Sequence, residues 1–323
     1  MSSVTVSAPG KLMLLGEHAV VYGHPCIVTA VSQRMQVTAS KLDKPLCVIN
    51  APDVEVANYQ KSITSLGTGE IPQGARFVEV AVKNYLEKFS FTGGVSLTTS
   101  SEFSSLFGFG SSAASVVCVI KALSQLFGKK LSNDQLFALA YKTVLDVQGK
   151  GSGFDVAAAI YGGTIYFKNG GKVIEPLVVS DMPIVVGYTG VKADTISLMH
   201  SVKEKMDAQP APVTKIFEAI AKLTDDAKGK IIEGDWGRVG KLMEFNQEYL
   251  RDIGVSSEKL EAMISAAKSA GAYGAKLSGA GGGDCMIAMV PKDKRKAIED
   301  ALASVGGQVI HITGNASGVR VEA

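Results

Sequence analysis

The stretch Phe107-Gly108-Phe109-Gly110-Ser111-Ser112-Ala113-Ala114 stands directly ahead of an apolar segment, residues 115–127, whose composition predicts a helix. Small residues at the mouth of a helix leave backbone N–H groups uncovered. The first four of those groups lack intrahelical partners, and the macrodipole adds partial positive charge there. A phosphate can then be held by main chain alone. The same eight residues also satisfy the G-x-G-x-x-A dinucleotide pattern, and small-residue stretches ahead of helices are usually just turns.

A chain of 323 residues is long enough for two domains, each with its own core. A hydrophobic fraction of 46% with 20% charged residues is that of a soluble globular protein. The net charge of +2 neither favours nor excludes an anionic ligand, and no basic block points to nucleic acid. Cys26, Cys47, Cys118 and Cys285 are far apart, with no C-x-x-C and no neighbouring histidine pair. That excludes the familiar zinc spacings and fits unpaired thiols in a reducing compartment. Met1-Ser2-Ser3-Val4 opens no charged-then-apolar run, and no apolar stretch reaches the length of a membrane span. A cytoplasmic location, with no membrane partner, is the expectation.

Residues 4–7 alternate like a short strand and lead into Ala8-Pro9-Gly10-Lys11, read as a turn because Pro9 cannot donate to a ladder. Residues 26–31, 35–40 and 46–50 read as successive strands, and residues 51–74 as an irregular, ligand-covering excursion. Residues 75–89 have helical spacing, 94–99 read as a strand, and Ser132 with Gln135 forms a capping-box pattern opening a helix to about Val147. Gly151-Ser152-Gly153-Phe154-Asp155 precedes a short helix with an acid in its first turn, then a strand over 164–168. Composition shifts near 180–183, which divides the chain into domains 1–182 and 183–323. The second half is helix-rich over 193–206, 213–233, 236–253, 256–270 and 292–305, with strands at 274–277, 285–290, 308–312 and 319–321. Two α+β domains with mixed or antiparallel sheets are expected.

Of the common nucleotide folds, a dinucleotide fold needs a strand running straight into the glycines and an acid roughly 20 residues later. Here polar and small residues separate the strand from Gly108, and Gly128-Lys129-Lys130 occupies the acidic place. No G-x-x-x-x-G-K-[ST] occurs either. The run Gly279-Ala280-Gly281-Gly282-Gly283 is the hardest to explain structurally, because ordering several glycines costs entropy. Such a run usually lets main chain pass close to something.

Ala8-Pro9-Gly10-Lys11, then residues 108–114, then 279–283 resemble the three motifs of the GHMP kinases, in order and at suitable separations over essentially the whole chain. Within that superfamily, Leu15-Gly16-Glu17-His18-Ala19-Val20-Val21-Tyr22-Gly23 resembles the mevalonate kinases, as do Leu242-Met243-Glu244-Phe245-Asn246-Gln247 and Gly254-Val255-Ser256. The resemblance implies a ribosomal protein S5 domain 2-like N-terminal domain, a ferredoxin-like C-terminal domain and an active site between them. It implies ATP and Mg²⁺ as cofactors, and mevalonate as the small-molecule substrate. ATP phosphates are expected on Gly108, Phe109, Gly110, Ser111, Ser112 and Ala113, with Ser112 as a metal ligand. Asp155 matches the general base toward the substrate hydroxyl, and Lys11 the lysine that keeps it ionised and stabilises the developing alkoxide. Glu17, His18, Thr195, Gly279 and Ala280 match the substrate pocket. The family's habit of dimerising makes a homodimer an expectation that no stretch here demands.

Mevalonate kinases usually carry a metal-ligating glutamate eleven residues ahead of the aspartate, where this chain has Val144; Asp146 is the nearby substitute. Phe109 stands where leucine is usual, and the Pro-x-Gly lead-in to the phosphate loop is missing. Gly151-Ser152-Gly153-Phe154-Asp155-Val156 and Gly283-Asp284-Cys285 resemble phosphomevalonate kinases instead, an alternative that needs extra cations such as Lys150 or Lys192. A different-class alternative is a non-catalytic sensor of the same fold, which would have no need to keep Lys11 and Asp155.

Overall fold

The computed structural model describes residues 3–322 apart from Thr92 and Ser180. Met1 and Ser2, at the N-terminus, and Ser180, at the composition shift, lie outside the described residues. The long N-terminal strands β1 (Ser3–Leu15) and β2 (Pro25–Leu42) pair antiparallel along most of their length. They are followed by β3 (Leu46–Ala51), β4 (Val56–Ser62), α1 (Arg76–Phe89) and β5 (Gly94–Ser101). Then come α2 (Ser111–Leu126), α3 (Asn133–Gln148), α4 (Phe154–Tyr161), β6 (Thr164–Lys168) and β7 (Val173–Leu177). One sheet runs β1-β2-β5-β3-β4, with β6 on β2 and β7 on β6. α2 packs against β1 and β2, with α1 and α3 beside it.

Three expectations for this half are corrected. Residues 26–40 are not two strands but one bulged β2, whose far edge pairs with β6 over 25–29 and with β5 over 35–42. Pro9 does not end a strand: β1 continues through it at a register shift. Prolines are tolerated at bulges, where no ladder hydrogen bond is forfeited. Residues 51–74 also hold more order than an excursion, since β4 returns antiparallel onto β3. The capping box of Ser132 and Gln135 forms as expected.

The second half begins with β8 (Ile184–Tyr188) and α5 (Thr195–Ala208), α6 (Pro210–Glu233), α7 (Trp236–Asp252) and α8 (Glu258–Ser269). It ends with β9 (Gly274–Ser278), β10 (Cys285–Met289), α9 (Arg295–Ser304), β11 (Gln308–Ile310) and β12 (Arg320–Val321). The antiparallel order β11-β8-β10-β9 is the 4-1-3-2 arrangement of a ferredoxin-like unit, with α8 and α9 packed on the sheet. Neither β7 nor β8 is expected from periodicity. β8 is buried at every position, so it shows no alternation, and Pro176 sits in β7 as an edge strand. β12 crosses back to pair with β1 at Val6 and Ser7, tying the end of the second half to the first sheet. The four cysteines are free and buried. No described helix is long and apolar enough to cross a membrane.

Candidate active site

β1 loses its β12 neighbour after Ser7, so its edge beyond that point is free to receive another segment. The glycine stretch ahead of α2 fills it: the Lys11 backbone N–H donates to the Phe109 carbonyl at 2.9 Å. Phe109 itself is buried and packs against the rings of Phe103 and Phe107. Its side chain anchors the loop in the core, which leaves the backbone as the part that can meet a ligand. Gly10 permits this close approach, because a Cβ there would lie 3.2 Å from the Phe109 Cβ and 3.1 Å from Val31.

Gly108 and Gly110 both have left-handed φ, of 70° and 78°. Gly110 is the N-cap of α2, no side chain caps that helix, and its first turn holds no acid. Among the described residues, the first intrahelical backbone bond there is from Ala114 to Gly110. The N–H groups of Ser111, Ser112 and Ala113 are therefore unclaimed, at the positive end of a helix of 16 residues. A helix end of this kind can hold an anion through main chain alone.

Lys11 and Asp155 converge beside it. The Lys11 ammonium donates to the Gly108 carbonyl at 2.7 Å and lies 5.4 Å from the centroid of the Phe154 ring. A Cβ at Gly110 would contact both Lys11 and Asp155, so the two side chains flank that glycine. Asp155 sits in the first turn of α4, behind the left-handed Gly153. Burial pulls the Lys11 pKa down, and the nearby Asp155 and Asp284 carboxylates oppose that shift. Burial likewise pushes the Asp155 pKa up, against the pull of Lys11. Each charge thus depends on the other to stay ionised.

The third glycine run closes the far side. Ser278 at the end of β9 accepts from the Met13 N–H at 3.0 Å and donates to the Met13 carbonyl at 2.9 Å. His18 bonds through Nε2 to the Ala280 carbonyl at 2.9 Å, which requires the proton on Nε2. Burial lowers the His18 pKa, keeping the ring neutral. Glu17 is buried and ion-paired with Lys276, a contact that joins the end of β1 to β9. Asn246 Oδ1 accepts from the Gly16 N–H at 3.3 Å, and Gln247 Oε1 accepts from the Leu277 N–H at 3.0 Å. Gly281 is forced by packing: φ is 84°, and a Cβ would fall 2.1 Å from the Val255 carbonyl oxygen.

Glu17 and His18, expected at a substrate pocket, thus stand in a buried seam between the two sheets. Glu17 offers its carboxylate to Lys276 rather than to open space. Thr195 is the exposed first residue of α5. Asp146 is not brought to the site: its carboxylate accepts from Asn84 on α1 and pairs with Lys142. Val144 is buried and apolar. Sequence reasoning missed two charged residues here. Lys276 is one, and its signal was a lysine between apolar neighbours in a short strand, which demands a buried partner. Asp284 is the other: its carboxylate abuts Gly108. Beside β3 and β4 lies a cavity of about 460 Å³, lined by Asn50, Pro52, Glu55, Val56, Ala57 and Thr98.

Comparison with known proteins gives the family. The model of the GHMP kinases N terminal domain matches residues 76–163, and that of the GHMP kinases C terminal domain matches residues 227–308. Mevalonate kinase of Pyrococcus horikoshii is 36% identical over 99% of this chain and 98% of its own length. The crystal structure of Methanococcus jannaschii mevalonate kinase superposes with a TM-score of 0.84 at 26% identity, covering 97% of this chain and 98% of that one. That of L. major mevalonate kinase in complex with R-mevalonate has a TM-score of 0.78 at 25% identity, covering 97% and 96%. The chain belongs to the GHMP kinases, on their mevalonate kinase branch.

Proposed function

We propose that the chain transfers the γ-phosphoryl group of ATP to the primary hydroxyl of mevalonate, giving 5-phosphomevalonate and ADP. The observation that carries this reading is the meeting of Lys11 and Asp155 at the open N-terminus of α2. The full-length similarity to mevalonate kinases supports the choice of acceptor. Backbone N–H groups of Ser111, Ser112 and Ala113, with the glycines before them, hold the donor phosphates. The cavity beside β3 and β4 is the candidate for the adenine, and the seam around His18 and Ala280 is the wall of the mevalonate pocket.

The substrate hydroxyl oxygen attacks the γ-phosphorus, and the bond from that phosphorus to the β-bridging oxygen breaks, releasing ADP. Asp155 takes the hydroxyl proton, and Lys11 offsets negative charge on the attacking oxygen and on the phosphates. The oxygen donors at hand, the Ser112 hydroxyl and the Asp284 carboxylate, fit a hard divalent cation. When bound, Mg²⁺ neutralises charge on the phosphate oxygens.

The pH dependence follows from burial. Asp155 acts when deprotonated, so kcat/KM falls on the acid side at a pH above that of an ordinary carboxylate. Lys11 acts when protonated, so kcat/KM falls on the basic side below the ordinary lysine range. A kcat/KM profile, which reports the ionisations of the free enzyme, is expected to show this narrowed bell. An acid limb in the ordinary aspartate range would contradict the placement of Asp155. The function itself is tested by adding mevalonate to enzyme and ATP and following ADP release, with ³¹P NMR to identify the phosphate monoester. No ADP release across a panel of small alcohols would instead support a non-catalytic sensor.

A further inference from the structure

The phosphate loop has an acidic neighbour, Asp284, to which the resemblance gives no role. Asp284 lies between the glycine run and β10 and is 7% exposed. Its backbone is left-handed, with φ of 52°, a conformation that aspartate and asparagine tolerate better than most residues. Three hydrogen bonds clamp it to the segment after β8. Its N–H donates to the Val191 carbonyl at 2.8 Å, its carbonyl accepts from Thr189 at 2.9 Å, and Oδ1 accepts from the Ala193 N–H at 2.8 Å. The neighbouring Cys285 thiol donates to the Phe107 carbonyl at 3.3 Å, which ties the same strand end to the start of the phosphate loop.

The second carboxylate oxygen has no such partner. Oδ2 makes no hydrogen bond or ion pair among the described residues, although Lys11 and Lys192 both lie near enough to act on the carboxylate. It points at Gly108: a Cβ on that glycine would sit 2.4 Å from Oδ2. A carboxylate fixed against a phosphate cradle repels the phosphates unless cations offset it; Lys11 is one such cation, but its ammonium is bonded to the Gly108 carbonyl and makes no hydrogen bond to Oδ2. The other acids offered by sequence do not supply that contact, since position 144 is a buried valine and Asp146 is committed to Asn84 and Lys142.

We infer that Asp284 Oδ2 is an acidic contact of the divalent cation that accompanies the nucleotide, working with the Ser112 hydroxyl in place of the missing acid at position 144. The inference rests on the nucleotide-binding reading of the α2 N-terminus. It makes the Gly-Asp-Cys sequence part of the metal site rather than a mark of another acceptor. The clamp on Oδ1 fixes the direction of Oδ2, and glycine at position 108 is what lets that oxygen come up against the loop's main chain.

The test is Mn²⁺ binding to the complex of the full chain with AMPPNP, followed by EPR. Asp284→Asn keeps an oxygen for the Ala193 N–H and tolerates the left-handed backbone, so a purely structural role would survive it. The expected result is at least about a tenfold loss of Mn²⁺ affinity in the ternary complex, the scale of a lost contact at a metal site. Metal-free AMPPNP should bind no more weakly than to wild type, because a repulsive charge has gone. Asp146→Asn should bind Mn²⁺ as wild type does. Wild-type Mn²⁺ affinity in Asp284→Asn overturns the inference, and so does an equal loss of metal-free AMPPNP binding. If AMPPNP does not bind the wild-type chain at all, the nucleotide reading falls with it. Should Asp284→Asn not fold, Fe²⁺ and ascorbate with AMPPNP on the wild-type chain provide a second measurement. Oxidative cuts mapped by mass spectrometry beside both Asp284 and Ser112 support the assignment, and cuts that spare Asp284 reject it.

Discussion

Asp155→Asn is expected to lower kcat by about 10²–10⁴-fold, the range over which a positioned general base contributes, while ATP affinity stays near the wild-type value. The two effects separate because Asp155 stands on α4 beside Lys11, whereas the phosphates are held by main chain at the start of α2. The fold should tolerate the change. Asparagine keeps an oxygen for the Val156 N–H, which Asp155 Oδ1 accepts at 3.0 Å, and its place in the first helical turn is unchanged. Steady-state kinetics with a nucleotide-binding titration measures both quantities. A variant with near-full turnover would remove Asp155 from the role of base.

Lys276→Met is expected to destabilise the protein by about 3–5 kcal/mol, because it leaves a buried carboxylate without its counter-charge. Both side chains of the Glu17–Lys276 pair are fully buried, and Glu17 Oε2 already lacks a hydrogen-bond partner among the described residues. Burial pushes the Glu17 pKa up and the Lys276 pKa down, each held back by the other. The double variant Glu17→Leu/Lys276→Met should recover most of the loss, since replacing both charges with apolar groups is often neutral or better. Urea unfolding of the four members of this cycle gives the coupling directly. A single variant within about 1 kcal/mol of wild type would mean that the pair behaves like an exposed one.

Much of this molecule was legible in the sequence wherever local chemistry decides the outcome. The α2 mouth, the capping box at Ser132 and the acid at the start of α4 all follow from residues within one helical turn. The helices of the second half have enough length for their period to show. The errors have a common physical origin in long-range pairing. Residues 31–34 look like a break because β2 bulges there while changing partners from β6 to β5. Pro9 looks like a terminator because the free edge of β1 beyond Ser7 is decided by β12, some 300 residues away. β8 escapes notice because burial on both faces erases alternation. Within the site, Lys11 and Asp155 were legible through motif order. Lys276 and the orientation of Asp284 depend on β9 and β10 meeting the end of β1 and the phosphate loop, which spacing along the chain does not encode.

The identity of the acceptor is the central claim, because Gly283-Asp284-Cys285 resembles the sister enzymes while the seam around His18 and Asn246 resembles the mevalonate kinases. A coupled ADP-release assay, run side by side with mevalonate and with phosphomevalonate at the same enzyme and ATP concentrations, measures it most directly. Higher kcat/KM for mevalonate is the predicted result, and a preference for phosphomevalonate would contradict the account.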